Sequence, residues 1–221
     1  MSETSTMELH PFYKFLQTRA TRGLPGKTAH LKLQPEPLDE NFTMPPSESE
    51  NGYPSSVLIP VYQDRQNHLN VILTLRTDSV RHAGQISFPG GRSDSGESLH
   101  ETALRETHEE VGISPSMVQI ACSITPLYLY RSNNRSTPYV GFLSGIPDLK
   151  PNPAEVEEAF SVRLDSLLDE RNMIREVWEL SYATFRVPYW NVHSTPLWGA
   201  TAMIMSELLE LYREFLGDKE L

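Results

Sequence analysis

Residues 91–113 read GRSDSGESLHETALRETHEEVGI. Gly91 and Gly112 bracket a stretch dense in charge, with Glu97, then Arg105 and Glu106, then Glu109 and Glu110. Glu106, Glu109 and Glu110 stand at i, i+3 and i+4, positions that share one face of an α-helix. Three like charges there repel one another and weaken an isolated helix. A cation between them reverses that sign. Carboxylate oxygens are hard ligands that select Mg2+ or Mn2+, and Mg2+ typically takes one or two carboxylates together with substrate phosphates. The residues alone therefore predict a helix over 97–110, ended by Gly112, that holds a divalent metal for phosphate chemistry. A merely solvated acidic face would need neither the flanking glycines nor the arginine.

Outward from this stretch, 85–88 is predicted as a short strand leading into Pro89-Gly90-Gly91. The double glycine allows a close ligand approach that a side chain would forbid. Upstream, 56–62 (SVLIPVY) and 69–76 (LNVILTLR) are β-branched-rich runs around a polar turn and predict a hairpin. Downstream, 117–130 predicts a strand pair or one long bent strand, 137–143 a strand, and 156–162 a strand before a short helix at 164–169. Residues 173–179 and 184–190 predict another hairpin. In 197–216, Ile204, Leu208, Leu211 and Phe215 recur at helical spacing beside a second row of Met205, Leu209, Tyr212 and Leu216, so a broad apolar face closes the chain. Strands interleaved with helices predict the α/β class, a sheet sandwiched between helices.

The opening stretch resembles the Nudix box, Gly-x5-Glu-x7-Arg-Glu-U-x-Glu-Glu-x-Gly-U, where U is a bulky aliphatic residue. Gly91, Glu97, Arg105, Glu106, Glu109, Glu110, Gly112 and Ile113 fall on the pattern, and Thr107 stands where the first aliphatic is expected. Seven fixed identities at ~1/15 each make a chance match roughly 10⁻⁸ per start position. The resemblance implies a Nudix-type α/β/α sandwich with a central mixed sheet, and hydrolysis of a phosphoanhydride. Glu106, Glu109 and Glu110 are then the metal ligands, and the backbone carbonyl of Gly91 also faces the metal. Arg105 is expected to orient Glu109 by a charge-assisted hydrogen bond. Glu97 is expected to tighten the loop or to reach the metal shell through water. A carboxylate must take the proton of the attacking water. In the family that base sits on the helix or on a distant loop, and Glu110, Glu155 and Glu158 are the candidates.

Residues 72–91, ILTLRTDSVRHAGQISFPGG, resemble a second signature, that of Nudix hydrolases acting on coenzyme A: roughly Leu-Leu-Thr-x-Arg-Ser/Ala-x3-Arg-x3-Gly-x3-Phe-Pro-Gly-Gly. Leu73, Thr74, Arg76, Arg81, Gly84 and Phe88 to Gly91 match. Thr77 replaces the small residue, and two residues instead of three separate Arg81 from Gly84. Segments 154–168 (AEVEEAFSVRLDSLL) and 196–204 (PLWGATAMI) are similar to further parts of this subfamily, so the resemblance spans about residues 53–216. It implies cleavage of coenzyme A or its derivatives to 3′,5′-ADP and 4′-phosphopantetheine, or acyl-phosphopantetheine. Arg76, Arg81, His82 and Gly84 are the expected substrate-binding residues, since forked guanidinium groups suit phosphates. ADP-ribose, a dinucleotide or a nucleoside diphosphate sugar is the alternative substrate class, favoured by the short Arg81–Gly84 spacer. A ligand-binding module without turnover is the alternative of a different kind.

The net charge of −10 opposes nucleic-acid binding, which needs a basic footprint. It also requires local arginines and bound metal to reverse the sign where an anionic substrate sits. The single cysteine, Cys122, lies in an apolar run and is expected to be a buried, inert thiol. No basic start followed by an apolar run and no long apolar stretch is seen, so a cytoplasmic protein with no membrane partner is the expectation. Residues 1–52 hold a helix at 11–22 and a Pro-rich arm at 34–50. They are expected to form an N-terminal extension of a hydrolase domain at 53–221, packing on the domain or on a second subunit of a homodimer.

Overall fold

A computed structural model of the chain describes residues 10–43, 52–77, 84–180 and 183–218. In chain order come α1 (Pro11–Ala20), α2 (Lys27–Leu31), β1 (Glu36–Pro37), β2 (Tyr53–Gln63), β3 (Leu69–Arg76), β4 (Ile86–Ser87), β5 (Gly90–Arg92) and α3 (Leu99–Val111). There follow β6 (Val118–Ser123), β7 (Leu127–Leu129), β8 (Asn134–Leu143), β9 (Val156–Arg163), α4 (Leu164–Leu168), β10 (Met173–Leu180), β11 (Ala183–Trp190), β12 (Leu197–Trp198) and α5 (Gly199–Asp218).

The β-branched runs of β2 and β3 are strands, but only their turn ends pair as a hairpin, Val61↔Val71 to Gln63↔Leu69. Over most of its length β2 runs parallel to β8, from Tyr53↔Asn134 to Val61↔Phe142. β3 turns instead to β9, antiparallel from Asn70↔Arg163 to Arg76↔Val156. β6 and β7 each pair with β8 and not with one another. The result is a mixed eight-stranded sheet, the central layer of an α/β fold. α3 covers one face through Ile72, Val111, Ile113 and Leu143. α1 and α5 cover the other, where Phe12, Leu16, Val71, Leu73, Leu208, Leu211 and Phe215 join one large core. A second, four-stranded sheet of β1, β11, β10 and β12 was not expected from the pattern. Its β10–β11 hairpin was.

Residues ahead of β1 are built into the same core. Phe12 and Leu16 are fully buried, and the Phe12 ring sits 5.1 Å from those of Tyr212 and Phe215. Glu207 of α5 is buried beneath α2. Its carboxylate accepts from His30 Nε2 at 2.9 Å, Gly26 N at 3.0 Å, Thr125 Oγ1 at 2.7 Å and Thr125 N at 3.2 Å. Burial pushes this carboxyl up, but the hydrogen bonds from His30, Thr125 and Gly26 prevail and hold it below its ordinary range. A buried charge persists only with such compensation. Cys122 is partly buried, and burial pushes its thiol up to about 11, which makes it a poor nucleophile. Among the described residues no helix is long and apolar enough to cross a membrane.

Candidate active site

α3 begins at a capping box. Ser98 accepts from the Glu101 backbone N–H at 3.3 Å, and Glu101 accepts from the Ser98 backbone N–H at 2.9 Å. The Ser-x-x-Glu spelling went unread in the sequence, and it moves the helix start from 97 to Leu99. Glu97 therefore lies ahead of the cap, free to turn toward Arg105. The helix ends at Gly112, whose φ of 75° is left-handed. A Cβ there would stand 2.9 Å from Lys150 Cβ, so both conformation and space require glycine. Thr107, at the position where an aliphatic was expected, is fully buried, and its hydroxyl donates to Ala103 O at 2.7 Å. That bond satisfies the one polar atom an aliphatic residue would lack.

Arg105 is the hub of the acidic cluster. Its Nε donates to Glu97 Oε1 at 2.8 Å, and its Nη2 to Glu97 Oε2 at 3.0 Å and to the Arg92 carbonyl at 3.1 Å. Its Nη1 donates to Glu106 at 2.9 Å and to Glu109 at 3.0 Å. The bidentate pair holds Glu97 down to about 2, well below the usual carboxylate range, and the acids raise Arg105 in turn. The Thr102 hydroxyl buttresses Glu97, 2.8 Å from its Oε2 and 2.8 Å from Ser93 Oγ. Thr102 escaped the sequence reading, since a threonine on a helix carries no signal of its own.

The three helix carboxylates differ in exposure. The Glu109 side chain is half exposed, while that of Glu106 is mostly covered. Glu110 is 1% exposed, and its Oε2 has no hydrogen-bond partner. Burial, aided by Glu106 and Glu155 and opposed by Arg76, pushes Glu110 up to about 7. Burial likewise raises Glu106, with Arg105 opposing and Glu109 and Glu155 adding to the rise. Gly91 lies against this group, and a Cβ there would fall 2.3 Å from Glu106 Oε1. Among the described residues no three side chains are already gathered as a metal-ligand set. The chemistry of the donors nonetheless suits a hard divalent cation. They are all oxygen, one buried carboxylate oxygen lacks a partner, and the backbone at Gly91 approaches without a side chain in the way.

Arg76 ends β3 with its Nη1 3.4 Å from Glu110 Oε1. Next to it, Thr77 N donates to Glu155 O at 3.0 Å, which clips the 155 loop beside the cluster. Glu155 is thus the loop carboxylate whose charge acts on both Glu106 and Glu110. Glu158 instead meets His193 Nε2 at 3.3 Å. His193, stacked on Phe160 with ring centroids 4.7 Å apart, had no local motif to reveal it. Gly84 N donates to Arg76 O at 3.0 Å. Arg81 and His82 lie outside the described residues.

The NUDIX domain family matches residues 52–180 of the chain. Nudix hydrolase 3 of Caenorhabditis elegans is 32% identical over 183 residues, covering 75% of this chain and 75% of that protein. The peroxisomal coenzyme A diphosphatase NUDT7 of Mus musculus is 39% identical over 115 residues, covering 51% of this chain and 48% of its own length. Among solved structures, a C. elegans Ap4A hydrolase aligns over 75% of this chain and 98% of its own with a TM-score of 0.52 at 15% identity, a likeness of fold. With the box running from β5 through α3 and the matched region spanning the mixed sheet, the chain belongs to the Nudix hydrolase family.

Proposed function

We propose that this chain hydrolyses the diphosphate linkage of coenzyme A or an acyl derivative, using Mg2+ or Mn2+ held by Glu106, Glu109, Glu110 and the Gly91 carbonyl. The observation that carries the metal reading is the buried, unpartnered Oε2 of Glu110 in an all-oxygen donor set. Substrate choice rests on the 72–91 motif, supported by the relative named for coenzyme A diphosphatase. When bound, the cation polarises phosphoryl oxygens and lowers the pKa of water.

The chain's own residues do the rest. Arg105 bonds Glu97, Glu106 and Glu109 at once and so ties these carboxylates to one hub before substrate arrives. Arg76, with Arg81 and His82 close after it in sequence, supplies positive charge for phosphates beside an otherwise acidic cluster. A carboxylate accepts a proton from water as its oxygen attacks one phosphorus. The bond to the bridging oxygen breaks and leaves 3′,5′-ADP and 4′-phosphopantetheine. For the base we favour Glu155 or Glu110 over Glu158. Glu155 bears on the cluster and Glu110 lies within it, whereas Glu158 is turned to His193.

Mass spectrometry of products formed from coenzyme A with Mg2+ or Mn2+ tests this reading, and those two products are expected. Cleavage of ADP-ribose or a dinucleotide with coenzyme A left intact would establish the second reading, which the short Arg81–Gly84 spacer favours.

A further inference from the structure

β10 ends its sheet. β11 lies along one side of it, from Met173↔Trp190 to Leu180↔Ala183, and among the described residues nothing pairs with the other side. A strand of eight residues with an open row of backbone donors and acceptors is a template for another strand. The opposite edge of the same sheet is blunted, because β1 has two residues and closes on Pro37, which has no N–H to donate. β10 has no proline and no register shift. Val177, near its centre, is 59% exposed, the most exposed large apolar side chain among the described residues.

The two faces of β10 differ. On one, Trp178 packs against Tyr189 and Trp198 with ring centroids 5.3 and 5.2 Å away, and donates its Nε1 to Glu176 at 3.2 Å. On the other stand Arg175, Val177 and Glu179, all exposed. Neither Arg175 nor Glu179 is in an ion pair among the described residues.

The order of these side chains is its own complement. Laid antiparallel about a twofold axis through Val177, two copies of β10 bring Val177 against Val177 and Arg175 against Glu179, twice by symmetry. Ile174 then meets Leu180. An axis at Glu176 sets Arg175 against Val177, and an axis at Trp178 sets Glu179 against Val177, so on the exposed face only the axis at Val177 matches charge with charge and apolar with apolar, while on the other face it sets Glu176 against Trp178. We propose that β10 is a dimerisation edge on which a second copy of this chain pairs antiparallel in that register, joining the two four-stranded sheets into one.

Sedimentation velocity tests it at roughly 1 to 100 µM, the range suited to a modest interface. The wild-type chain is expected to dimerise. Arg175→Glu places glutamate against glutamate on both sides of the axis, and Glu179→Arg places arginine against arginine. Each is expected to weaken the dimer about tenfold or more. Mixing the two single variants re-forms matched pairs and yields a heterodimer, and R175E/E179R in one chain restores the homodimer. Both positions are exposed, so at the dilute end of the range, where every chain is monomeric, thermal melting should match wild type. Hydrogen exchange of the β10 amides should slow as wild-type concentration rises. A monomer throughout the range overturns the proposal. So does a dimer indifferent to the single reversals, a mixture that fails to associate, or β10 exchange independent of concentration.

Discussion

Arg76, at the end of β3, sets its guanidinium 3.4 Å from the carboxylate of Glu110 on α3, a group 1% exposed whose second oxygen has no partner. The pair ties the strand that opens the 72–91 motif to the helix that carries the Nudix box. One cation beside a buried acid already raised by burial leaves the site poised for further positive charge.

The first consequence is a pH dependence of metal-free stability. Glu110 sits at about 7 in the folded protein against an ordinary 4.5. Between those values the folded state keeps a proton that the unfolded chain releases. Stability is therefore fully present below the lower value and falls as pH rises toward the upper. The loss is on the order of 2 kcal/mol, or ~5 °C in Tm for a chain of this size. Thermal melts in chelator from about pH 5 to pH 8 should show the decline, and Glu110→Gln should flatten it. Glu97 runs the other way. Held at about 2, it stabilises above 4.5, and that contribution is lost as pH falls toward 2.

Arg76→Leu should leave Glu110 buried without its cation. A destabilisation of about 1–3 kcal/mol is expected near neutral pH, at the lower end of breaking a buried pair because Arg76 is partly solvated. In a double-mutant cycle with Glu110→Gln the losses should be less than additive, read by chemical denaturation. Additive losses would mean that the two groups do not interact.

Arg105→Lys keeps the charge but loses the fork. One ammonium cannot bond Glu97, the Arg92 carbonyl, Glu106 and Glu109 together. With the acids unfixed, kcat should fall about tenfold or more while KM changes little, because orientation of the reacting groups is what is lost. Glu109→Gln separates an enzyme from a binding module. It should abolish most turnover while calorimetry still detects ligand.

Glu155→Gln and Glu158→Gln distinguish the loop carboxylates. If Glu155 takes the proton, its variant should lose about 10²–10⁴ in kcat, whereas Glu158→Gln should resemble His193→Ala, with a small effect. The reverse order in steady-state kinetics would return the role to Glu158.

Gly91→Ala probes the close approach at β5. Its Cβ would lie 2.3 Å from Glu106 Oε1 and 2.4 Å from Glu106 Cδ, so Glu106 must move. Activity should fall at least about tenfold, with Tm lowered by only a few degrees, because a side-chain tip yields more cheaply than backbone.

Local patterns carried what is local. The i, i+3, i+4 carboxylates and the Gly112 stop obey helix geometry, which needs only neighbours a turn away, and both are spelled in residues 91–113, whereas the Ser98–Glu101 cap, equally local, went unread and shifted the helix start. The alternation in 173–190 likewise foretold its hairpin. Pairing between distant strands has no such spelling. That β2 lies beside β8 and β3 beside β9 depends on which apolar faces close the core together, and only the folded chain selects those partners. The same selection clips Glu155 to Thr77, sends Glu158 to His193 and buries Glu110 against Arg76. Residue spacing alone sets the acidic helix and its glycine boundaries, because backbone geometry ties spacing to helix face. Tertiary structure decided which carboxylate is desolvated and which charges reach it, because burial and distance belong to the packed whole.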